Sequence, residues 1–235
     1  MPVDLAVQPA AGRRKRLMLA DMDSTMVTGE TLDEMAAHAG LKDVIAAITR
    51  RSMNGELDFP TALRERVAML AGLPEQAIAA TLAAMDYSPG AATAVATMRA
   101  HGCRCVLISG GFAPFTARVR AALGFDEDHA NRLEMAGGKL TGRLVEPILD
   151  KDAKLATLRR RAADLGLGLD ATLTVGDGAN DLPMLTAASA GGGIGVAWRG
   201  KPAVAAQARY RLDHADLTGL LWLQGYRERE VVRPG

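Results

Sequence analysis

The sequence predicts an α/β fold in which a doubly wound parallel sheet carries an inserted helical cap. Three short apolar runs, Leu17–Ala20, Cys105–Ile108 and Ala171–Val175, each end at a polar or Gly-rich turn. Helical patterns follow the second and third turns, at Ala113–Leu123 and Asn180–Ala188. Strand, turn and helix in this rhythm are typical of parallel βα units. The sequence therefore predicts a Rossmann-like core.

The first predicted strand leads directly into the acidic segment Asp21-Met22-Asp23-Ser24-Thr25. An isolated pair of aspartates two residues apart often binds a cation and does nothing else. Here the preceding strand is wholly apolar, so both carboxylates lie at a strand end. A carboxylate can attack phosphorus and form an acyl phosphate. A second carboxyl group can protonate the leaving oxygen and then deprotonate a water.

A long helix-rich stretch separates the first two predicted strands. Asp58-Phe59-Pro60 is typical of a helix start, with an acidic N-cap and an early proline. Helical spacing also covers Thr31–Gly40 and Leu41–Ser52, and Pro74-Glu75 opens a further Ala-rich helix. We predict that residues 28–88 form an inserted helical cap domain. Residues 15–27 and 89–228 then form the catalytic core.

Two further turns carry groups suited to phosphate and metal binding. Ser109-Gly110-Gly111 is either an ordinary Gly-rich turn or a phosphate cradle of one hydroxyl and close backbone N–H groups. The segment Gly176–Asp181 places acidic and amide side chains in a short run at a strand end. Hard oxygen ligands of this kind suit Mg²⁺, which we expect as the cofactor.

The strand order brings these turns together. Ligands of doubly wound sheets bind beyond the carboxyl ends of the strands, so Asp21, Ser109 and Asp177 should converge. Lys154, at a predicted helix start, is either a solvated surface residue or a cation that reaches into the site and balances its charge. Position in the sequence does not distinguish Lys154 from Lys151 as the cation of the site. Gly137-Gly138, within Asn131–Glu146, predicts a small hairpin.

The composition argues against several classes of partner. The chain has 28 basic and 27 acidic residues, so no global field attracts nucleic acid or an anionic membrane. The apolar stretch around residues 186–198 is Gly-rich and too short to span a bilayer. Residues 1–16 have no apolar region before their basic run, which does not fit a secretory signal. Cys103 and Cys105 fit reduced core thiols of a cytoplasmic protein.

The four motifs, in this order, resemble those of the haloacid-dehalogenase-like phosphohydrolases. The resemblance runs through the whole core and narrows to the phosphoserine phosphatases. The segments that carry the narrower resemblance are Asp21–Thr25, Ser109–Phe112, Ala130–Leu133, Gly176–Asp181 and, in the cap, Glu30–Glu34, Met53–Gly55, Asp58-Phe59 and Arg64–Val67. Many members carry a preceding regulatory domain, for which residues 1–14 are too short, so we do not expect regulation through such a domain.

The resemblance implies a role for each core residue. Asp21 is the nucleophile, and Asp23 is the general acid and base. Mg²⁺ is bound by Asp21, the backbone carbonyl of Asp23 and Asp177. Ser109, the Gly110 amide and Lys154 hold phosphate oxygens, while Asn180 contacts the phosphate or the attacking water. Asp181 orients Lys154 or the waters of the metal.

The implied substrate is L-phosphoserine, which also presents a carboxylate and an ammonium group. A carboxylate favours the bidentate fork of an arginine, for which we expect Arg66, with Arg64 on the surface. Glu30 is the candidate partner of the ammonium. Met53 and Phe59 either cover the substrate or pack within the cap.

The implied reaction is the last step of serine biosynthesis, carried out in the cytoplasm by a monomer or homodimer. A phosphotransferase acting on another small alcohol such as homoserine stays open as an alternative. So do a phosphatase for a different small phosphomonoester and a catalytically silent phosphate- or metal-binding regulator.

Overall fold

The computed structural model describes residues 2–53 and 56–234, without the side chain of Met53. In this part of the chain, seven strands form one sheet in the order β4-β3-β2-β1-β5-β6-β7. Every neighbouring pair is parallel except β3 and β4, which are antiparallel. The strands are β1 (Leu17–Ala20), β2 (Arg104–Phe112), β3 (Glu127–Ala136), β4 (Lys139–Val145), β5 (Thr172–Gly176), β6 (Ile194–Trp198) and β7 (Tyr210–Leu212). The predicted doubly wound α/β fold is confirmed.

Ten α-helices accompany the sheet in the described residues. They are α1 (Thr31–Ala37), α2 (Lys42–Met53), α3 (Phe59–Ala68), α4 (Gln76–Ala84), α5 (Ala91–Ala100), α6 (Ala113–Leu123), α7 (Lys151–Asp164), α8 (Leu182–Ala190), α9 (Pro202–Ala205) and α10 (Gly219–Leu223). Among the described residues, no helix combines the length and the apolarity that crossing a membrane requires.

The central strand β1 shows why its sequence is a continuous apolar run. All four of its residues are completely buried. Leu17 and Leu19 belong to the hydrophobic cluster on one face of the sheet, and Met18 and Ala20 belong to the cluster on the other face. Because both faces are covered, both sets of side chains must be apolar. A polar residue can therefore occur only after the strand ends, and Asp21 is the residue directly after β1.

The second strand runs further than its apolar run predicts. We expected a turn at Ser109-Gly110-Gly111, but β2 continues through it to Phe112. The register with β3 shifts between Ile108 and Phe112, so the Gly-rich segment is an irregular strand end rather than a turn. The reason is that β3 extends beside it, since Phe112 pairs with Asn131.

Other boundaries differ by a few residues from the prediction. Helix α1 ends at Ala37 rather than Gly40, and α8 begins at Leu182 rather than Asn180. The predicted hairpin is present as β3 and β4, although β3 begins earlier, at Glu127. Such shifts are expected because periodicity locates an element better than its ends.

The helices α1–α4 fall between β1 and α5 in the chain, in the stretch predicted to be a cap. Helix α3 begins as expected, since the carboxylate of Asp58 accepts a hydrogen bond from the backbone N–H of Thr61 at 3.1 Å. The connection from α3 to α4 is joined to β4 by backbone hydrogen bonds, from Gly72 N to Leu140 O (2.8 Å) and from Leu140 N to Leu73 O (2.9 Å). These helices therefore contact the core at the β3–β4 hairpin as well as through the chain itself.

Cys103 and Cys105 are buried and are not disulfide-bonded.

Candidate active site

The chain leaves β1 in one irregular turn, Met22–Met26, that returns two carboxylates to the end of the sheet. Ser24 has φ 54°, in the left-handed region, which reverses the chain inside this turn. Asp23 accepts hydrogen bonds from the backbone N–H of Thr31 (2.8 Å) and from Ser109 Oγ (3.1 Å). Asp21 and Asp23 are both buried. The turn thus places two carboxylates at one strand end, as the sequence predicts.

Lys154 lies within this acidic group. It is completely buried, and its Nζ lies 2.6 Å from Asp21 Oδ1 and 2.7 Å from Asp181 Oδ1. Its helix starts at the N-cap residue Asp150, whose carboxylate accepts from two backbone N–H groups. Lys151, the competing lysine, is exposed. The structure therefore selects Lys154 as the cation of the site.

The charges of this group shift one another's protonation. Burial and the neighbouring Asp181 carboxylate raise the pKa of Asp21 well above its usual value, against the opposing effect of Lys154. Burial disfavours the charged form of Lys154, but the carboxylates of Asp181 and Asp21 outweigh this and raise its pKa. Lys154 therefore stays protonated at neutral pH and compensates the negative charge of Asp21 and Asp181.

Asp181 holds the loop after β5 in place. One of its oxygens contacts Lys154, and the other accepts from the backbone N–H groups of Asp177 and Gly178, each at 3.1 Å. A side chain at Gly176 would approach the Asp181 carboxyl carbon to 2.3 Å, so only glycine fits there. Both oxygens of Asp181 are thus engaged in shaping the site.

Asp21, Asp177 and Asp181 form a group that could hold a metal ion. Their carboxylate oxygens lie within 4.8 Å of one another, and all three residues are buried. Asp177 also accepts from Thr25 Oγ1 at 3.2 Å and contacts the ammonium group of Lys201. Burial raises the pKa of Asp177, while Lys201 opposes that shift. An all-oxygen donor set of this kind fits a hard divalent cation such as Mg²⁺.

The side chain of Asp23 lies outside this group because it bonds to Thr31 and Ser109 instead. Its predicted contribution to metal binding, through the backbone carbonyl, stays a prediction. Burial raises the pKa of the Asp23 carboxyl, and the hydrogen bonds from Thr31 and Ser109 act in the opposite direction.

The end of β2 forms the next wall of the site. Ser109 Oγ accepts from the backbone N–H of Gly111 at 2.8 Å. A side chain at Gly110 would lie 2.6 Å from the ring of Phe59, and one at Gly111 would lie 2.8 Å from an oxygen of Asp23. Glycine is therefore needed at both positions for this close packing, and phosphate binding by this segment stays a prediction.

Asn180 completes this wall. Its amide oxygen is buried and has no hydrogen-bond partner among the described residues. A buried polar atom of this kind is costly unless a ligand or water satisfies it. Asn180 lines the cavity together with Asp21 and Ser109, so a ligand or water in the cavity could satisfy this oxygen.

Residues at the ends of β1 and β2 and residues of the helical stretch between them line a small, partly open cavity. The space inside is about 30 Å³, which is room for roughly two water molecules. The lining residues are Asp21, Asp23, Glu30, Thr31, Leu32, Phe59, Leu63, Arg66, Ser109, Gly110, Gly111, Phe112 and Asn180. The structure thus brings the predicted cap residues Glu30, Phe59 and Arg66 to the same cavity as the aspartates. The side chain of Met53 lies outside the described part of the chain.

Arg66 lies on α3 and lines the cavity, with 3% of its surface exposed. Its Nε donates to Ala62 O at 3.0 Å and its Nη1 to Thr49 Oγ1 at 2.9 Å. Burial lowers its pKa, against the effect of the nearby Asp33 carboxylate. Arg64, by contrast, is exposed and pairs with Glu146 on the surface. The structure therefore separates the two arginines as expected.

Glu30 lies between the cap and the metal-binding group. It accepts from Ser24 Oγ at 2.7 Å and lies 3.8 Å from Lys201 Nζ. Burial, with the carboxylates of Asp23 and Asp177, raises the pKa of Glu30 to about 8. A cationic ligand in the cavity would favour its charged form.

Lys201 is a site residue that the sequence reasoning missed. It follows β6 and its ammonium contacts Asp177. The rule that ligands lie beyond the carboxyl ends of parallel strands could have found it, but the Gly-rich stretch before β6 hid that strand. Ser24 and Thr25 were also missed as individual residues, although both lie inside the first motif.

Comparison with known proteins matches the chain to one family. The family model of haloacid dehalogenase-like hydrolases matches residues 18–186. The chain is 42% identical over 231 residues to the phosphoserine phosphatase SerB2 of Mycobacterium tuberculosis, covering 97% of this chain and 56% of that protein. It is 42% identical over 203 residues to the phosphoserine phosphatase of Streptococcus thermophilus, covering 86% of this chain and 93% of that protein.

Solved structures agree with these relatives. A substrate-bound phosphoserine phosphatase complex superposes with a TM-score of 0.83 at 33% identity, covering 89% of this chain and 98% of that chain. A structure of a phospho-aspartyl intermediate analogue of phosphoserine phosphatase gives a TM-score of 0.82 at 34% identity, with the same coverage.

The length of the relatives varies. The chain spans little more than half of the M. tuberculosis and Streptomyces coelicolor proteins, 56% and 55%, but nearly all of the S. thermophilus protein, 93%. The sequence match covers the core motifs and the helices α1–α4 alike. The chain therefore belongs to the haloacid dehalogenase-like hydrolase family, in the branch whose curated members are named phosphoserine phosphatases.

Proposed function

We propose that this chain is a Mg²⁺-dependent phosphatase that hydrolyses L-phosphoserine to L-serine and phosphate. The observation that carries the proposal is the composition of the cavity. One wall holds Asp21 and Asp23, and the buried cation Lys154 contacts Asp21 from behind that wall. The other wall holds one buried arginine, Arg66, and one carboxyl group, Glu30. The first wall suits a phosphoryl group, and the second suits the carboxylate and ammonium of an amino acid.

In the first step, Asp21 attacks the phosphorus. Lys154 engages its Oδ1, so we assign the attack to Oδ2. The new Asp21–phosphorus bond forms as the bond from phosphorus to the serine oxygen breaks, and Asp23 gives its proton to that oxygen. The raised pKa of Asp23 supports this role, because a general acid must hold a proton before the reaction.

In the second step, water attacks the aspartyl phosphate. Asp23, now a carboxylate, takes a proton from the water, phosphate leaves, and Asp21 is regenerated. The unpartnered amide oxygen of Asn180 is a hydrogen-bond acceptor, so it can accept a hydrogen bond from the second O–H group of that water. Ser109, the amide of Gly110 and Lys154 hold the phosphoryl oxygens in both steps.

Mg²⁺ would be held by Asp21 and Asp177, with the backbone carbonyl of Asp23, and when bound it supplies positive charge that neutralises the phosphoryl oxygens. Asp181, whose two oxygens are already engaged, positions Lys154 and the loop after β5.

Recognition of the amino-acid part belongs to the cap. Arg66 binds the carboxylate, Glu30 binds the ammonium, and Phe59 covers the substrate over Gly110. We accordingly propose that residues 28–88 act as a specificity cap. The cavity has about 30 Å³ of space, room for about two waters, so we propose that the cap opens to admit phosphoserine and closes for the chemistry. As a producer of L-serine, the enzyme would catalyse the last step of serine biosynthesis in the cytoplasm.

The test is phosphate release from L-phosphoserine with Mg²⁺, compared with EDTA, with Asp21→Asn and with a panel of other phosphomonoesters. We expect rapid release that needs the metal and falls by about 10⁴-fold or more in the variant. Metal-dependent phosphate release from other esters but not from phosphoserine would refute the assignment of phosphoserine as the substrate. Phosphoryl transfer to homoserine in preference to water would replace the hydrolase by the phosphotransferase, and no release at all would favour the silent regulator.

A further inference from the structure

We propose that Asn131 is a positioning residue that sets the distance between the two phosphate-binding elements of the site. Those elements are the segment Ser109–Gly111 at the end of β2 and the first turn of α7, which carries Lys154. The proposal rests on the proposed function, since it assigns phosphate binding to both elements.

The side chain of Asn131 joins the two elements directly. Asn131 lies on β3 and is buried, with 2% of its surface exposed. Its Nδ2 donates to Gly110 O at 2.8 Å and to Leu149 O at 3.3 Å. Its Oδ1 accepts from Leu149 N at 2.6 Å. The whole amide is therefore used to connect one residue of β2 with one residue ahead of α7.

At the β2 end, Asn131 replaces a missing sheet contact. The register between β2 and β3 is interrupted between Ile108 and Phe112, so Gly110 lies outside the regular ladder. By holding the carbonyl of Gly110, Asn131 also fixes the plane of the peptide that joins Gly110 to Gly111. The N–H of that peptide donates to Ser109 Oγ, and Ser109 in turn donates to Asp23. The anchor thus reaches the proposed general acid.

At the α7 end, Asn131 holds the residue that precedes the helix. Leu149 is followed by Asp150, the N-cap residue of α7, and the backbone N–H of Lys154 donates to Asp150 O at 3.0 Å. The first turn that carries Lys154 therefore starts from a point fixed to β3. Misplacement of a catalytic group by about 1 Å can cost about 10²-fold in rate, so this spacing bears on catalysis.

A buried amide also stabilises the fold, and a control must separate the two effects. Gln224 offers one, because it too is fully buried and bonds to backbone groups. It accepts from Lys15 N and donates to Leu220 O, each at 3.0 Å. None of these residues lines the cavity. Asn131→Asp and Gln224→Glu make the same chemical change, from an amide to an acid, near to and far from the site.

The experiment measures the melting temperature, kcat and KM for phosphoserine per folded enzyme, and the Kd of inorganic phosphate by calorimetry at fixed Mg²⁺. We expect both variants to lose thermal stability. We expect Asn131→Asp to lower kcat by about 10²-fold with a smaller change in KM. Its affinity for phosphate should weaken about tenfold, whereas Gln224→Glu should keep kcat and phosphate Kd within about twofold of wild type.

A folded Asn131→Asp enzyme with wild-type kcat and phosphate Kd would overturn the proposal, as would an equal loss in Gln224→Glu. If the aspartate variant does not fold, Asn131→Ser takes its place with the same criteria. The shorter serine side chain also loses the hydrogen bond to Gly110 O. The proposed function is judged separately, by whether the wild-type enzyme hydrolyses phosphoserine, so the two can fail independently.

Discussion

The two walls of the cavity differ in how their charged groups are held. The core wall carries Asp21 and Asp23, with Lys154 behind Asp21, and the cap wall carries Glu30 and Arg66. On the core wall, charged groups pair with one another at short range, and Lys154 holds Asp21 and Asp181 at 2.6 and 2.7 Å. On the cap wall, the charged groups bond mainly to hydroxyl and carbonyl oxygens, as Arg66 does to Thr49 and Ala62. The core residues lie at strand ends and at the start of α7, whereas Arg66 lies on α3, within the insertion.

From this difference we expect the two walls to control different parts of the proposed reaction. Groups fixed to the sheet can keep the precise spacing that phosphoryl transfer needs. Groups on an inserted helix can separate from the sheet to admit a substrate and return. Substitutions on the core wall should therefore affect every phosphomonoester, and substitutions on the cap wall should affect phosphoserine selectively.

The largest effect should come from the core wall, in Lys154→Met. The change leaves Asp21 and Asp181 buried without their cation, which should cost about 3–5 kcal/mol of unfolding free energy and nearly all activity on every substrate. Without Lys154, which opposes the upward shift of the Asp21 pKa, that pKa should rise further in the folded state. The unfolded state then binds fewer protons, so the variant should lose more stability as the pH rises. Urea unfolding in EDTA at about pH 6 and about pH 8 measures this.

Lys151→Met is the matched control for that experiment, since Lys151 lies on the same helix and is exposed. Wild-type stability and activity are expected there. A Lys154→Met enzyme as stable as wild type at both pH values would show that the core wall does not depend on its buried cation.

A smaller and selective effect should come from the cap wall, in Arg66→Met. Loss of the guanidinium removes the partner of the substrate carboxylate, so kcat/KM for phosphoserine should fall about 10²-fold. Phosphoethanolamine has no carboxylate, and its kcat/KM should change little. Because the ratio of the two substrates is measured in one protein sample, any loss of folded enzyme cancels.

Arg64→Met, on the exposed side of the same helix, should leave that ratio unchanged. An equal loss for both substrates in Arg66→Met would mean that the two walls do not divide chemistry from recognition.

The smallest effect should be a pH dependence from Glu30. Its pKa in the substrate-free site is about 8, so most of it is protonated at pH 7 and must lose that proton to pair with an ammonium group. The KM for phosphoserine should therefore fall between about fivefold and tenfold from about pH 7 to about pH 8.5. Steady-state kinetics in Glu30→Gln should show a higher KM without this slope.

Phosphoglycolate, which has no ammonium group, provides the internal comparison, because its KM in the wild-type enzyme should lack the slope assigned to Glu30. The same slope for both substrates would assign the titration to another group.

Much of the core wall could be predicted from the sequence. The apolar run Leu17–Ala20 had to be a central strand, and a polar residue after it could lie only at the strand end. The same argument located Asp177. The choice between Lys151 and Lys154 could not be made this way, because both lie in the first turn of α7 and the direction of each side chain depends on the sheet beside it.

The sequence by itself determined the fold class, the positions of Asp21 and Asp177 at strand ends and the long helical stretch between the first two strands. Its periodicity and its strand-end motifs are local properties, and local physics is enough to interpret them. Tertiary structure alone decided that β2 continues through Ser109-Gly110-Gly111, and that Lys201 meets Asp177 and Glu30. It also decided that Asn131 joins Gly110 to Leu149. These contacts join residues far apart in the chain, so they depend on how strands and helices pack rather than on any local pattern.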